Sequence, residues 1–411
     1  MALPVPRSSR PVSGLEKAWL VADRLASPFV NQLVLEGHGS LDPELVQVAA
    51  NRVAVQMPGV CLRQRGWLGG MRWESTGVPP VVRVDDGSAW DGRSPDGAPF
   101  LSRAMDPERG PVCEVVVLKG SPDGLDRLVV RTHHAALDGR GAGLFASDLF
   151  AVLRGEDPEG AKGGPFTDVD LARMAEVPAR HDPPPDRGSP TGAPSSDSFD
   201  TTWARRRVTG RFRGLLPRAI VGLWAASRSY STDPLRIGVP VDLRRYNLDL
   251  RSTANLTGIL HIDLDGVESV ARAHARVRAR LTHGLEGHAA AAHVLGLDGL
   301  RGLPLWFMSW AGRRAARQGL QTGRFRTSVT LSNLGRQDLS RYRGGGFEAK
   351  RAFWIPPGQP GLPLFLALSG DAEGLELVGS MPVGLADGGR LDGLLEGMAD
   401  ALVAETGRVT Q

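Results

Sequence analysis

The sequence predicts an α/β protein of two layered parts (α+β two-layer), each pairing strands with helices. Three observations predict it. Apolar runs of strand length alternate with helical periodicity in both halves, a stretch rich in proline, glycine and serine separates the halves, and 411 residues exceed one ordinary core. Hydrophobic residues make up 41% and charged residues 23%, the balance of a chain able to bury a sizeable core.

In chain order, residues 31–36 are strand-like. Asp42 caps a helix, Pro43 takes its first position, and Leu45, Val48, Ala49 and Val53 follow at helical spacing until Pro58 and Gly59 stop it. Residues 113–118 and 127–132 are apolar strands around the turn-forming Gly120-Ser121-Pro122-Asp123-Gly124. A second helix is expected after Gly143, with Leu144, Leu149 and Leu153 among its apolar positions, ending near Arg154-Gly155.

Composition then shifts. Pro183-Pro184-Pro185 and residues 188–196 lack the apolar content of a packed core and are expected to form a flexible crossover. The parts are accordingly 1–170, a linker at 171–202, and 203–411. In the second part, residues 235–241 read as a buried strand, and Val270, His274, Val277 and Leu281 as a helix. Residues 364–369 and 375–380 flank a turn as a hairpin, and Leu391, Leu394, Leu395, Met398 and Leu402 mark a C-terminal helix.

Several classes are excluded or set aside. No run of about 18 apolar residues spans a membrane, and the N-terminus lacks the apolar stretch of a signal peptide. Cys61 and Cys113 are too few for a disulfide framework or a zinc site, which fits a reducing cytoplasm. His283, His288 and His293 recur every five residues, so on a helix they do not share a face, and no metal is expected. A formal charge of +4 with a pI near 9.4 reflects an arginine-rich, solvated surface. The clusters Arg205-Arg206-Arg207 and Arg313-Arg314…Arg317 lack the interleaved aromatics of single-strand binders, so no nucleic acid is expected.

The chemistry concentrates in Leu128-Val129-Val130-Arg131-Thr132-His133-His134-Ala135-Ala136-Leu137-Asp138-Gly139. A strand delivers two histidines to its end, and a short loop brings an aspartate and a glycine. Imidazole titrates near 6.5, so a neutral histidine there can accept a proton near neutrality. The aspartate can hold the loop by pairing with an arginine elsewhere.

The full His-His-x-x-x-Asp-Gly pattern resembles the condensation-domain superfamily: condensation domains of nonribosomal peptide synthesis, polyketide-associated and wax-ester acyltransferases, and relatives with chloramphenicol-acetyltransferase-like lobes. Further segments share the resemblance in order along nearly the whole chain. These are Pro11-Val12-Ser13-Gly14-Leu15-Glu16-Lys17, Met57-Pro58-Gly59-Val60, Trp73, Gly238-Val239-Pro240-Val241-Asp242-Leu243-Arg244, Asn255-Leu256-Thr257-Gly258, and Ser328-Val329-Thr330-Leu331-Ser332-Asn333-Leu334-Gly335.

The resemblance implies two lobes forming a V with a central tunnel. It implies a stand-alone acyltransferase of natural product biosynthesis moving an acyl group from a thioester to a hydroxyl or amine of a small metabolite. The co-substrate is acyl-CoA or a phosphopantetheine-linked acyl group on a carrier protein, and no bound cofactor is implied. His134 is expected to be the general base, His133 to pack and position the loop, the Gly139 backbone to allow close approach to the substrate, and Asp138 to pair structurally with Arg244. Ser332 or Asn333 is expected either to donate to a tetrahedral oxyanion or, for Asn333, to serve the turn before Gly335. The stretch 215–229 is short for the helical region of the family, which trims one wall of the acceptor channel. Two alternatives share the fold: a non-catalytic docking protein, and a cyclase or epimerase acting on a thioester-bound substrate.

Overall fold

The computed structural model describes residues 5–176, 186–266, 269–282 and 285–407; Pro183-Pro184-Pro185 and His283 lie outside them. Helix Gly14–Leu25 begins at a capping box, in which the Ser13 hydroxyl accepts the Glu16 N–H at 3.2 Å and Glu16 Oε2 accepts the Ser13 N–H at 2.9 Å. Helix Pro43–Gln56 begins at Asp42, whose side chain accepts the Glu44 N–H at 2.9 Å.

The first six-stranded sheet runs in the order Arg343–Gly344, Phe347–Ile355, Val30–His38, Asp126–His133, Cys113–Lys119 and Val81–Asp86. Its central strand, read in sequence as 127–132, shows why an unbroken apolar run forms here. Leu128 and Val130 enter the core that helices Pro43–Gln56 and Gly139–Leu153 share, while Val129 points oppositely into a cluster with Trp90, Trp203 and Phe353. Both faces are covered, so the period-two alternation of a half-exposed strand is lost.

The second sheet runs Thr257–Leu264, Leu235–Asp242, Val329–Arg336, Leu364–Gly370, Gly374–Pro382 and Thr201–Thr209. The hairpin at 364–380 and the strand at 235–241 appear in it within a few residues of the sequence expectation. Helices Leu215–Ser227 and Arg390–Gly407 pack on this sheet through Ile220, Leu223, Leu394 and Met398.

Two features depart from the sequence expectation. The helix expected after Gly143 starts at Gly139, because the Asp138 carboxylate accepts the Gly141 N–H at 2.7 Å and caps the helix four residues earlier. Strand Phe347–Ile355, from the second half of the chain, pairs antiparallel with Val30–His38 in the first sheet, setting Trp354 opposite Leu33. The two sheets are thereby tied by backbone as well as by side chains.

The Arg205-Arg206-Arg207 cluster is also only partly a solvated face. The Arg205 side chain is only 7% exposed, donates to Glu36 of the first sheet at 3.0 Å and to Glu376 of the second at 2.8 Å, and lies 3.6 Å over the Phe353 ring. Residues 186–200 follow the second sheet closely: Arg187 and Phe325 exchange backbone hydrogen bonds at 2.7 and 2.8 Å, and Ser189 and Thr191 are buried. No helix among the described residues is long and apolar enough to cross a membrane.

Candidate active site

Strand Asp126–His133 ends on the first histidine, and the chain then turns so that the two imidazoles point apart. His133 is fully buried. Its Nδ1 accepts the Ala135 N–H at 3.3 Å, which leaves the Nε2 proton directed at Asp23 Oδ2, 3.6 Å away. Burial acts to raise the Asp23 carboxyl pKa, but hydrogen bonds from His133 and the Phe29 N–H outweigh it and hold the carboxyl below its ordinary value. His133 therefore fastens the loop to helix Gly14–Leu25.

His134 turns the other way, into a cavity between the two sheets. Trp19 and Phe29 stack on its ring, each with centroids 5.5 Å away, and Phe365 lies tilted at 6.2 Å. Trp19 and Phe29 also stack on each other at 5.4 Å, and burial in this aromatic cluster disfavours the imidazolium and lowers the His134 pKa from 6.5 to about 4, only partly opposed by the Leu137 carbonyl and the Asp138 charge. At neutral pH the ring is neutral.

Its tautomer follows from Asn31. The Asn31 Nδ2 donates to the Leu137 carbonyl at 3.1 Å, and the same amide nitrogen stands 2.8 Å from His134 Nδ1. An amide nitrogen only donates, so in this arrangement Nδ1 accepts and Nε2 carries the proton. The alternative tautomer aims its Nδ1–H at the Leu137 carbonyl, 3.4 Å away, and leaves Nε2 basic. The Asn255 Nδ2 holds the His134 backbone carbonyl at 2.7 Å and fixes the main chain under the ring.

Asp138 borders the cavity with its carboxylate held by Arg244. Arg244 Nη1 lies 2.9 Å from its Oδ2 and Nη2 3.3 Å from its Oδ1, while the N–H groups of Gly141 and Leu256 donate at 2.7 and 2.9 Å. Arg244 also holds Asp242 and the carbonyls of Ser252 and Ala254. Burial pushes the Asp138 pKa upward, but the guanidinium and these donors win and the carboxyl stays ionised. A Cβ on Gly141 would stand 2.2 Å from the Thr253 carbonyl oxygen, so only glycine lets the helix start lie this close to the second half.

The cavity is small, about 70 Å³, and mostly apolar. Parallel pairing of Val329–Arg336 with Leu364–Gly370 puts Thr330 beside Phe365 and Ser332 beside Ala367, so alternate residues of both strands wall it. Gly139 lies on its rim, where an added Cβ would meet Leu334 Cδ2 at 2.9 Å. A wider cleft of about 480 Å³ adjoins it, sharing Gly139, Pro240, Ser332 and Trp354, and carries Arg140, Arg336 and Arg341. Ser332 lines both spaces. Asn333 lines only the outer cleft, where its Oδ1 accepts the Gly335 N–H at 3.1 Å, a turn contact made possible by Gly335 at φ +71°.

Thus His134, Gly139 and Ser332 share one cavity, His133 does not reach it, and Asn333 faces its outer neighbour. The sequence analysis did not assign Trp19, Phe29, Asn31 or Phe365, which build the pocket for the imidazole. The order in the chain holds no signal for Asn31: it meets His134 across 103 residues, through the strand pairing that sets Asn31 opposite Thr132.

No family model matches the chain. Two uncharacterized proteins of Mycobacterium tuberculosis, MT2362 and Rv2305, are each 28% identical to it over 299 residues, covering 62% of this chain and 67% of theirs. Solved structures are similar along nearly its whole length. The condensation domain of the monacolin K polyketide synthase MokA gives a TM-score of 0.61 at 13% identity, covering 96% of both chains. The epimerization domain from the third module of tyrocidine synthetase B gives 0.65 at 15%, covering 98% of this chain and 96% of that one. The first condensation domain of the calcium-dependent antibiotic synthetase, in complex with a substrate analogue, gives 0.63 at 15%, covering 96% and 95%. The chain has the condensation-domain fold.

Proposed function

We propose, from this fold and the imidazole enclosed in it, that the protein is an acyltransferase. It moves an acyl group from a thioester to a hydroxyl or amine of a small metabolite, with His134 as general base. The observation that carries the reading is the placement of a neutral His134 on the wall of an apolar cavity between the two sheets, with the Asp138 charge held by Arg244.

The acceptor oxygen or nitrogen attacks the thioester carbonyl carbon while its proton passes to His134 Nε2. The carbonyl π electrons move onto oxygen, and collapse of the tetrahedral intermediate breaks the C–S bond. The departing sulfur recovers the proton from the imidazolium, so the products are an ester or amide and a free thiol. This sequence uses the Nδ1–H tautomer, with the Leu137 carbonyl as its partner and the Asn31 amide rotated. Ser332 is the better candidate to donate to the oxyanion, since it lines the inner cavity and Asn333 does not. The arginines of the outer cleft suit the phosphates of CoA or of phosphopantetheine on a carrier protein.

The test offers acyl-CoA thioesters and acyl-loaded carrier proteins in parallel to hydroxyl- and amine-bearing acceptors, with products followed by mass spectrometry. An acylated acceptor from either donor supports the reading, and free acceptor with every donor contradicts it. A second reading, epimerisation of a thioester-bound substrate, is favoured by the similarity to the epimerization domain. It predicts deuterium uptake from D₂O into the thioester substrate without any acceptor.

A further inference from the structure

Helix Leu305–Thr322 turns one face to solvent, and that face carries Trp306 at 69% exposure, Trp310 at 59% and Phe307 at 38%. At 100° per residue these three share one side of the helix with Arg313, Arg314 and Arg317, aromatics in the first turns and arginines in the later ones. In sequence the two groups stand apart; the helix joins them into one stripe. The other side, with Ala316, Gly319 and Leu320, is buried. A Cβ on Gly312 would meet Val21 Cγ1 at 3.1 Å, so the helix lies close on Gly14–Leu25, whose Leu15 and Trp19 wall the cavity of His134.

A second segment extends the stripe. Trp67 is 77% exposed at the tip of a turn. The Lys17 ammonium ties that turn to the segment entering the helix, donating to the carbonyls of Leu68 at 3.3 Å, Arg301 at 2.8 Å and Leu303.

The arginines of the stripe have no carboxylate partner among the described residues. Arg313 reaches only the Arg24 carbonyl at 3.4 Å, and Arg313 and Arg317 lean over Phe199 at 5.6 and 5.9 Å. Trp310, Arg313, Arg314 and Arg317 line one shallow depression. Two indoles exposed by more than half and three guanidiniums without a carboxylate partner on one helix face, with Trp67 on a neighbouring turn, are an interaction surface rather than scattered surface residues.

We propose that this face docks on a membrane surface containing anionic phospholipid. Trp310 edges only a shallow depression, and Trp306 and Trp67 are exposed by more than two-thirds. A bilayer interface takes projecting indoles in any lateral arrangement, whereas a protein partner needs a matching pocket for each. The charge is complementary: the depression beside Trp310 presents three guanidiniums to headgroup phosphates, and arginine stems can lie along the apolar boundary. Docking would bring the helix that walls the active cavity near the bilayer, where an apolar substrate partitions. The proposal does not depend on acyl transfer.

The test is sedimentation of the full chain with vesicles of phosphatidylcholine alone and with 30–40% phosphatidylglycerol (about one lipid in three, enough to give a negative surface potential). Two variants run beside it, Trp306→Ala/Trp310→Ala and Arg313→Glu/Arg314→Glu/Arg317→Glu, with thermal unfolding to show that both fold. The expected result is binding to the anionic vesicles with a blue shift of tryptophan emission, reduced about tenfold or more in each variant. Failure of the wild type to bind anionic vesicles overturns the proposal. So does binding that the folded variants retain, or self-association abolished by the same variants without vesicle binding, which would assign the face to a second copy of the chain.

Discussion

The Asp138 carboxylate and the Arg244 guanidinium meet at 2.9 Å across 106 residues of chain, buried where the loop after the first sheet's Asp126–His133 strand abuts the second half. One residue is the helix cap that ends the histidine motif, and the other gathers two backbone carbonyls of the opposite segment. The pair is a joint between halves. Arg244→Ala leaves a buried carboxylate without its counter-ion, and the expected loss is about 3–5 kcal/mol of unfolding free energy. Urea unfolding monitored by tryptophan fluorescence measures it; an unchanged midpoint would show that the joint lies elsewhere.

His134 predicts an unusual pH dependence. With its pKa lowered to about 4, the ring stays neutral well below the range in which an ordinary histidine protonates. The acid limb of kcat/KM is therefore expected near pH 4–5 rather than near 6.5. Stability follows the same shift with a definite sign. Between about pH 6.5 and 4 the unfolded chain binds a proton at this residue that the folded chain does not, so stability falls as pH falls, by about 3 kcal/mol in total. Comparing wild type with His134→Gln at pH 7 and pH 4.5 isolates this contribution, because glutamine does not titrate. Equal pH slopes in both proteins would show that the ring is not desolvated.

Asn31 is the residue that sets which imidazole nitrogen carries the proton. In Asn31→Asp, a carboxylate next to Nδ1 accepts a hydrogen bond from Nδ1–H and favours the charged ring, so the His134 pKa rises and Nε2 is left as the basic nitrogen. The expected result is a ¹⁵N spectrum in which His134 changes from the Nε2–H to the Nδ1–H tautomer, with the acid limb of activity moved to higher pH. An unmoved limb and tautomer would mean that Leu137 alone orients the ring.

A second buried site predicts a stability effect. Burial and the neighbouring Glu16 push Asp168 up to about 8, so the folded chain holds a proton there that the unfolded chain releases near 3.8. Stability from this group is present below about pH 4 and lost as pH rises towards 8. Asp168→Asn keeps an acceptor for the Ser13 hydroxyl, now 3.0 Å away. It is expected to raise Tm at pH 8 relative to wild type and to have little effect at pH 5. A lower Tm at pH 8 would show that Asp168 is ionised and paired.

Much of the framework was legible because it rests on local rules. Asp42-Pro43 announces a helix start, and Leu128-Val129-Val130 announces a strand covered on both faces. The crossing of Phe347–Ile355 into the first sheet was not legible, because the segment's own pattern, with Lys350 and Arg351 inside it, does not name the strand it joins. The site divides in the same way. The motif residues lie together in sequence, but the Trp19 and Phe29 walls and the Asn31 amide come to His134 only through packing of distant elements. Arg205 shows the reverse case: composition placed it in a solvated cluster, and pairing with both Glu36 and Glu376 draws it inside.

The most direct test of the central claim is thiol release from acyl thioesters by wild type and by His134→Ala, measured with acceptor present and with both proteins confirmed folded. The account predicts a loss of about 10²–10⁴-fold in kcat for the variant, the range of a missing general base, with KM for the thioester little changed. Equal turnover by the two proteins would contradict it and take His134 out of the chemistry.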